Sequence, residues 1–359
     1  MRQVLSNYCA KNKLPESRTL KLSREMNSTF ADDTINTFTW QQVQWHWWVI
    51  LQVCLAIVGF FGNSIVIIIY AMKNRLDRAT SFFIRALAVA DLITSVNFLP
   101  RRIALSTPDS LNGHLYCKLV ASNFLLWLSI VAAIFTLTTI SVERYIAVVH
   151  PIKYRIYFSK TLQPKIVVAC IWLTSFVINS HSFFVTYRDP KTGACLVGYQ
   201  PPYLQMVFGT LVFVIEFFLP VVIMITTQLI TIDRLLKQAK LTKGARTTTI
   251  NQTKGDLANS QMMRTRRKVL KMLFVVIVTF IICWTPDQVA FLLFNFNYFK
   301  AVDFLGTDLY HILVSVAFVN SCANPFIYAA SNSQFRASFR RIFYCKREIQ
   351  PLVSVTVDT

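Results

Sequence analysis

Long apolar stretches alternate along the chain with short polar connectors. Seven of these stretches are long enough to cross the hydrocarbon core of a bilayer, which takes about 20 helical residues. They cover roughly residues 47–72, 82–104, 118–149, 166–186, 204–232, 269–296 and 304–329. With 54% hydrophobic and only 15% charged residues, the pattern predicts an all-α membrane protein, a bundle of seven transmembrane helices.

A different periodicity follows the seventh stretch. Aromatic residues recur at Phe335, Phe339 and Phe343, with arginines between them. This spacing predicts a short amphipathic eighth helix that lies on the inner leaflet and contacts membrane lipids. We therefore divide the chain into a polar N-terminal tail 1–45, a membrane domain 46–331, an amphipathic helix 332–345 and a tail 346–359.

Positive charge is distributed unevenly between the two sides of the predicted bundle. Of 37 Lys and Arg residues, 25 fall on one side, in segments 73–85, 144–165, 234–271 and 336–347. This bias predicts an extracellular N-terminus and a cytoplasmic C-terminal tail. The net charge of +20 thus faces anionic lipid and cytosolic partners, and it gives no support to nucleic-acid binding.

Three of the eight cysteines lie on the predicted outer side, where disulfides form: Cys9, Cys117 and Cys195. We pair Cys117 with Cys195 and leave Cys9 as the odd thiol; the alternative is that Cys117 is a buried free thiol. Cys345, at the end of the amphipathic helix, is either a palmitoylation site or an unmodified cytosolic thiol.

Several polar residues lie inside the apolar stretches, where each needs a partner. Those at similar depth in the first, second and seventh stretches are Asn63, Asp91, Asn320, Ser321 and Asn324. They predict a shared hydrogen-bond network that holds water or an ion and rearranges. The alternative is a set of static contacts between helices.

A proline follows a large aromatic residue in the sixth stretch, at Trp284 and Pro286. Because proline removes a backbone hydrogen bond, it makes this point a hinge. Asp287, Gln288 and Phe291 share the helix face of Trp284 at spacings of three, four and seven residues. We expect this face to line a cavity, although Trp284 alone is also compatible with an ordinary core residue.

Together these residues resemble the rhodopsin-like (class A) G-protein-coupled receptors, in their peptide-receptor branch. The motifs that carry the resemblance are Gly62-Asn63, Leu87-Ala88-Val89-Ala90-Asp91, Cys117, Glu143-Arg144-Tyr145 with Pro151 after it, Trp172, Pro220, Phe280 with Cys283-Trp284-Thr285-Pro286, and Asn324-Pro325-Phe326-Ile327-Tyr328. The resemblance implies a plasma-membrane receptor with an outward ligand cup and an inner cleft for a heterotrimeric G protein, with arrestin as a further partner. It implies no cofactor and no enzymatic activity.

The resemblance also assigns roles to residues at the inner end. The switch and the coupling surface would consist of Glu143, Arg144, Tyr145, Ile152, Pro286, Asn324, Pro325 and Tyr328.

Four departures from the family pattern stand out. Arg144 follows Cys117 by 27 residues instead of 25, and Gln228 replaces a tyrosine. Ala133 replaces the hydroxyl that often completes a sodium site at Asp91, with Ser129 one turn away. The foot of the sixth stretch, 264–268, lacks the usual acid.

Two residues that anchor ligands in other family members are missing from the membrane segments, and their absence narrows the classes of ligand. The third stretch has no carboxylate between Cys117 and Ser141, and Phe318 occupies the position of the retinal-binding lysine. Amine-type anchoring and retinal are therefore excluded. The residues expected around the cup are Gln205, Glu216, Trp284, Asp287, Gln288, Phe291, Asn295 and His311. The two acids favour a peptide ligand with a basic or amidated end. The alternatives are a receptor for a non-peptide small molecule or a lipid, and a seven-span transporter.

The predicted orientation has a direct test in glycosylation. Asn27 begins an Asn-Ser-Thr sequon on the predicted outside, whereas Asn251 begins an Asn-Gln-Thr sequon on the predicted inside. Asn27→Gln should abolish the glycosidase-induced shift in electrophoretic mobility, and Asn251→Gln should leave it unchanged. The reverse result would show that the chain is inserted the other way round.

Overall fold

The computed structural model describes residues 37–72, 78–158, 162–248, 254–298 and 307–344. Cys9, Asn27, Asn251 and Cys345 lie outside these ranges. The glycosylation and palmitoylation assignments therefore stay predictions.

Seven described helices are long and apolar enough to cross a membrane, as predicted. The first to seventh spans are Trp47–Ala71, Ala79–Phe98, Leu111–Val149, Leu162–Val185, Tyr203–Gln238, Val269–Asn295 and Asp308–Ser331. The second span ends earlier than predicted, so that Pro100 lies beyond the helix and does not kink it. The connector between the predicted stretches 204–232 and 269–296 is partly helical, because the fifth-span helix continues to Thr248 and the sixth begins at Lys254.

Short elements connect the spans. The inner side carries the helices Pro151–Phe158 and Ser333–Tyr344, and the outer side carries Ser182–Val185. Two antiparallel strand pairs also lie on the outer side. Strand β1 (Thr39–Trp40) pairs with β2 (Ala104–Ser106), and β3 (Thr186–Arg188) pairs with β4 (Cys195–Val197).

Small residues allow the first span to lie close to two neighbours. A Cβ atom on Gly59 would come within 2.4 Å of Ser95 Oγ in the second span. A Cβ atom on Gly62 would lie 2.8 Å from Cγ of Pro325 in the seventh span. Close approach at small residues is a common way for membrane helices to pack, since lipid provides no hydrophobic drive between them.

The third span contains a widened turn at its outer end. Residues Tyr116–Ala121 form a π-helical segment, and Asn123 follows with a left-handed φ of 55° before the regular helix Phe124–Val149 begins. Each π turn holds more residues than an α turn. A widened turn of this kind takes up one additional residue, and it lies ahead of the regular helix that carries Arg144.

The outer loops are tied to each other around Thr107. Its amide and hydroxyl both donate to the carbonyl oxygen of Gly193, at 2.9 and 2.8 Å, and its own carbonyl accepts from Arg188 Nε at 2.9 Å. The predicted disulfide between Cys117 and Cys195 is present, with a Cα–Cα distance of 5.2 Å. The β3–β4 hairpin is thereby fixed to the head of the third span.

The amphipathic helix packs on the bundle through its apolar face. Phe335 is 3% exposed, and its ring centroid lies 6.2 Å from that of Tyr70 and 6.3 Å from that of Tyr328. Arg336 and Arg340 of the same helix are exposed. The predicted eighth helix is therefore confirmed, over Ser333–Tyr344.

Candidate functional site

The inner end of the third span buries an adjacent acid and base. Nε and Nη2 of Arg144 each lie 2.6 Å from one carboxylate oxygen of Glu143. The Arg144 side chain is 9% exposed and the Glu143 side chain 0%. Burying such a pair costs several kcal/mol of desolvation per ion unless further hydrogen bonds satisfy both partners.

Two side chains from other elements supply those hydrogen bonds. Thr80, at the foot of the second span, donates to Glu143 at 2.9 Å and accepts from Arg144. Tyr154, in the helix Pro151–Phe158, donates to Glu143 at 2.8 Å. The arginine is thus held by the second span and the inner loop as well as by its neighbour. Tyr145 lies outside this cluster, with its hydroxyl 3.4 Å from His150 Nε2.

The feet of the fifth and sixth spans are joined by a neutral contact. Gln228, 4% exposed, donates from Nε2 to the carbonyl oxygen of Leu270 at 3.1 Å. A movement of the sixth span away from the fifth would break this hydrogen bond. The contact lies at the position where the resemblance expects a tyrosine.

The predicted polar network joins the first, second and seventh spans. Asn324 donates to Asp91 at 2.9 Å, and Asn63 donates to the carbonyl oxygens of Gly59 and Ser321 at 3.0 Å each. Ser321 also forms a hydrogen bond with Asp91. The structure therefore brings Asn63, Asp91, Ser321 and Asn324 together.

Four oxygens of this network are buried without a donor among the described residues. They are the Oδ1 atoms of Asn63, Asp91, Asn320 and Asn324. Buried acceptors are normally satisfied, and hard oxygens of this kind suit ordered water or a small cation such as sodium. Ser129 is engaged elsewhere: its hydroxyl donates to the Leu126 carbonyl and accepts from Thr94, each at 2.9 Å.

Aromatic contacts link the sixth span near Pro286 to the fifth span. Trp284 is 5% exposed, and its ring lies 6.4 Å from that of Phe280, which in turn lies 6.2 Å from Phe217. The Trp284 Nε1 donor is buried and has no described partner. Both Pro286 and Pro325 lie inside continuous helices, so each leaves a local gap in the backbone hydrogen bonds.

The two predicted ligand-binding acids face the interior of the outer half. Glu216 is 7% exposed within the π-helical segment Val214–Phe218, which ends just before Pro220. Asp287 is 3% exposed and accepts a long hydrogen bond of 3.4 Å from Gln288. Tyr310 of the seventh span lies close enough to interact electrostatically with Asp287.

The other predicted ligand-binding residues occupy varied surroundings. Asn295 donates to the Phe291 carbonyl and packs against Gly209, where an added Cβ would lie 2.4 Å from Asn295 Cγ. His311 stacks on Trp48, with 3.8 Å between the ring centroids. Gln205 and Phe291 are half-buried.

Comparison with known proteins identifies this arrangement. The profile described as "7 transmembrane receptor (rhodopsin family)" matches residues 62–328. The chain belongs to the rhodopsin family of seven-transmembrane receptors. Membership excludes an enzymatic role, and the receptor is a multi-pass membrane protein.

The receptor is similar to several peptide receptors. A pyroglutamylated RF-amide peptide receptor of Rattus norvegicus is 27% identical over 300 residues, 80% of this chain and 68% of the relative. An allatostatin-A receptor of Bombyx mori is 28% identical over 81% of this chain and 78% of its own length. A tachykinin-like peptides receptor 99D of Drosophila melanogaster is 30% identical over 85% of this chain, but only 57% of its own length is covered.

Sequence reasoning missed three contacts that shape the receptor's two ends. Thr80 and Tyr154 hold the Glu143–Arg144 pair, and Trp48 stacks on His311. Neither Thr80 nor Tyr154 belongs to a sequence motif. Thr80 lies in the second span, far from Arg144 along the chain, and Tyr154 lies in the next helix after the third span. The tryptophan-rich entry to the first span was visible in the sequence, but its partner depends on the bundle.

The role of Thr80 can be tested through stability. Thr80→Val keeps the shape but leaves Glu143 with one donor fewer, which should cost about 1–3 kcal/mol of unfolding free energy. The matched control is Thr138→Val, because Thr138 bonds only the carbonyl of Ile134 in its own helix among its described contacts. Thermal unfolding of both purified variants should show the larger loss for Thr80→Val. Equal losses would mean that Thr80 does not support the ion pair.

Proposed function

We propose that the receptor binds an extracellular peptide with a basic or amidated end and activates a heterotrimeric G protein at the plasma membrane. The observation that carries the proposal is a buried carboxylate, Asp287, on the inward face of the outer half of the sixth span. Support also comes from the relatives, which are named as receptors of peptides, among them RF-amide peptides.

Asp287 is the stronger of the two candidate anchors. Its carboxylate is 3% exposed, yet its described hydrogen bond is long and comes from a neutral amide. A buried carboxylate without a strong partner is unfavourable. A guanidinium, an ammonium or an amidated peptide end would supply the missing donors. Glu216, from the fifth span, would provide a second acidic contact on the opposite side of the cup.

The rest of the proposed cup is more polar than a lipid site requires. Asn295 and Gln288 are buried, and His311 and Gln205 are half-buried, so that several hydrogen-bonding groups surround the acids. Trp284 and Phe291 supply aromatic surface on the same face of the sixth span. A ligand pocket typically combines such apolar walls with a few placed polar groups.

At the inner end, we propose that Arg144 leaves Glu143 and Thr80 to meet the G protein when the sixth span swings out about Pro286. The movement would separate Gln228 from Leu270 and use the backbone gap at Pro286. Asn324, Pro325 and Tyr328 would transmit it through the seventh span. Ile152 is 77% exposed in the inner loop helix and offers an apolar contact to the G protein or to arrestin.

We also propose that the oxygens around Asp91 hold water or sodium in the resting receptor. The four acceptors without donors support this assignment. Asn324 of the switch segment donates directly to Asp91, so a change in occupancy would act on the seventh span.

Coupling through Arg144 has a clear mutational test. Arg144→Ala should abolish agonist-dependent nucleotide exchange on a co-expressed G protein. The wild-type receptor should show basal exchange above mock-transfected cells, because segment 264–268 offers no acid to restrain Arg144. Gln228→Leu should raise basal exchange about 2- to 10-fold, since it removes one neutral hydrogen bond from the closed state. Normal coupling by Arg144→Ala, or no basal exchange in the wild type, would contradict this mechanism.

The charge of the ligand can be tested at the two acids. Glu216→Gln and Asp287→Asn keep size and hydrogen bonding while they delete the charge, and losing one partner of a buried charged pair commonly costs about 2–5 kcal/mol. At least one variant, with Asp287→Asn expected first, should weaken the potency of a screened peptide agonist by tens-fold at unchanged surface expression.

Asp189→Asn is the matched control, because Asp189 is a half-buried outer-loop acid that accepts a hydrogen bond from Thr192 at 2.6 Å. Its agonist potency should stay at the wild-type level. If Glu216→Gln and Asp287→Asn also respond like wild type, the acids are structural and a neutral peptide or a lipid becomes the better assignment.

A further inference from the structure

A cavity of about 310 Å³ lies at the inner end of the bundle, and its described lining includes neither Arg144 nor any residue of the proposed ligand cup. Its walls come from the foot of the sixth span, the end of the seventh span and the start of the amphipathic helix. The lining residues are Lys271, Ala330, Ser331, Ser333 and Arg336.

Four of the five described lining residues carry side-chain hydrogen-bond donors. Arg336 uses only Nη1 among its described contacts, bonding the carbonyls of Ala329 and Ala330 at 3.0 and 2.9 Å. Its Nε and Nη2 donors remain available. The Lys271 ammonium and the two serine hydroxyls make no hydrogen bond or ion pair within the described residues. None of the lining residues that the structure describes is an acid, so the chemistry of the cavity suits an anion with several oxygens.

The position of the lining residues on their helices indicates the source of that anion. Lys271 continues a stripe of the sixth span that includes Val275, Val278 and Ile282, and all of these side chains are exposed, Ile282 to 64%. Exposed apolar residues on a membrane span face lipid.

The seventh span shows the same arrangement. Ala330 lies one turn beyond Phe326, which is 62% exposed on the lipid side. Lys271 and Ser331 also lie within two residues of the inner limits of their spans. The lining residues therefore lie at the depth of the inner headgroups, next to side chains that face lipid.

We propose that this cavity binds the headgroup of an inner-leaflet phospholipid that carries a phosphomonoester, such as a phosphoinositide. A doubly charged phosphate matches two cationic side chains and two hydroxyls better than the single charge of a phosphodiester does. Arg340 and Arg341, exposed on the same amphipathic helix, strengthen the local attraction for anionic lipid.

Binding would connect two elements that move relative to each other. A phosphate held by Lys271 and Arg336 at once would tie the foot of the sixth span to the amphipathic helix. It would therefore oppose the outward swing of the sixth span. This consequence rests on the proposed function, whereas the binding itself does not.

The test uses full-length receptor in nanodiscs, with fluorescent phosphatidylinositol bisphosphate as the probe. Lys271→Gln should weaken its binding about fivefold, because one lysine near a lipid surface contributes on the order of 1 kcal/mol. Lys153→Gln is the matched control, since Lys153 is an exposed inner-side lysine in the helix Pro151–Phe158 that does not line the cavity. It should bind like wild type.

Three results would overturn the proposal. Equal binding by Lys271→Gln and Lys153→Gln would show that general surface charge attracts the lipid. Equal binding of phosphatidylserine would remove the preference for a phosphomonoester. Soluble inositol trisphosphate binding as tightly as the lipid would assign the cavity to a free phosphate instead of a membrane headgroup. Because the binding readout involves no G protein, a failure of coupling would leave this test unaffected.

Discussion

The Glu143–Arg144 pair is the interaction on which the inner half of the receptor depends. Both side chains are almost fully buried, and water therefore cannot stabilise their charges. The two charges are stabilised by each other and by hydrogen bonds with Thr80 and Tyr154. This arrangement draws the second span, the third span and the inner loop to a single point. A partner that attracts Arg144 outward must replace all of these contacts at once, which makes the release of the arginine a discrete event.

The same constraint explains why polar groups lie along the bundle axis in spite of their cost. Inside a membrane, each must find a partner within the protein or hold water. The amide of Asn324 meets Asp91, whereas four neighbouring oxygens and the indole nitrogen of Trp284 have no described partner. A network with unmet hydrogen bonds can exchange partners at low cost, in contrast to the closely packed glycines of the first span.

Much of this architecture could be predicted from hydrophobic pattern and charge alone. Local periodicity predicts the seven spans and the amphipathic helix. The pairing of Cys117 with Cys195 follows from their location on the outer side of the membrane. The differences from the prediction lie at the ends of the helices. The second span stops at Phe98, and the fifth and sixth helices extend into the connector between them. Contacts such as Thr80 with Glu143 require the packed bundle, since nothing in the neighbourhood of Thr80 marks it.

The π-helical segment Val214–Phe218 carries Glu216, and this placement has a geometric consequence. A π turn contains one residue more than an α turn, so its conversion to regular helix would rotate the outer part of the fifth span by about 100° relative to the part after Pro220. The carboxylate would then leave the interior. The direction of the Glu216 side chain thus depends on whether this turn is π- or α-helical. A ligand that binds Glu216 in its inward position would therefore also stabilise the π turn and the rotation of the outer part of the span.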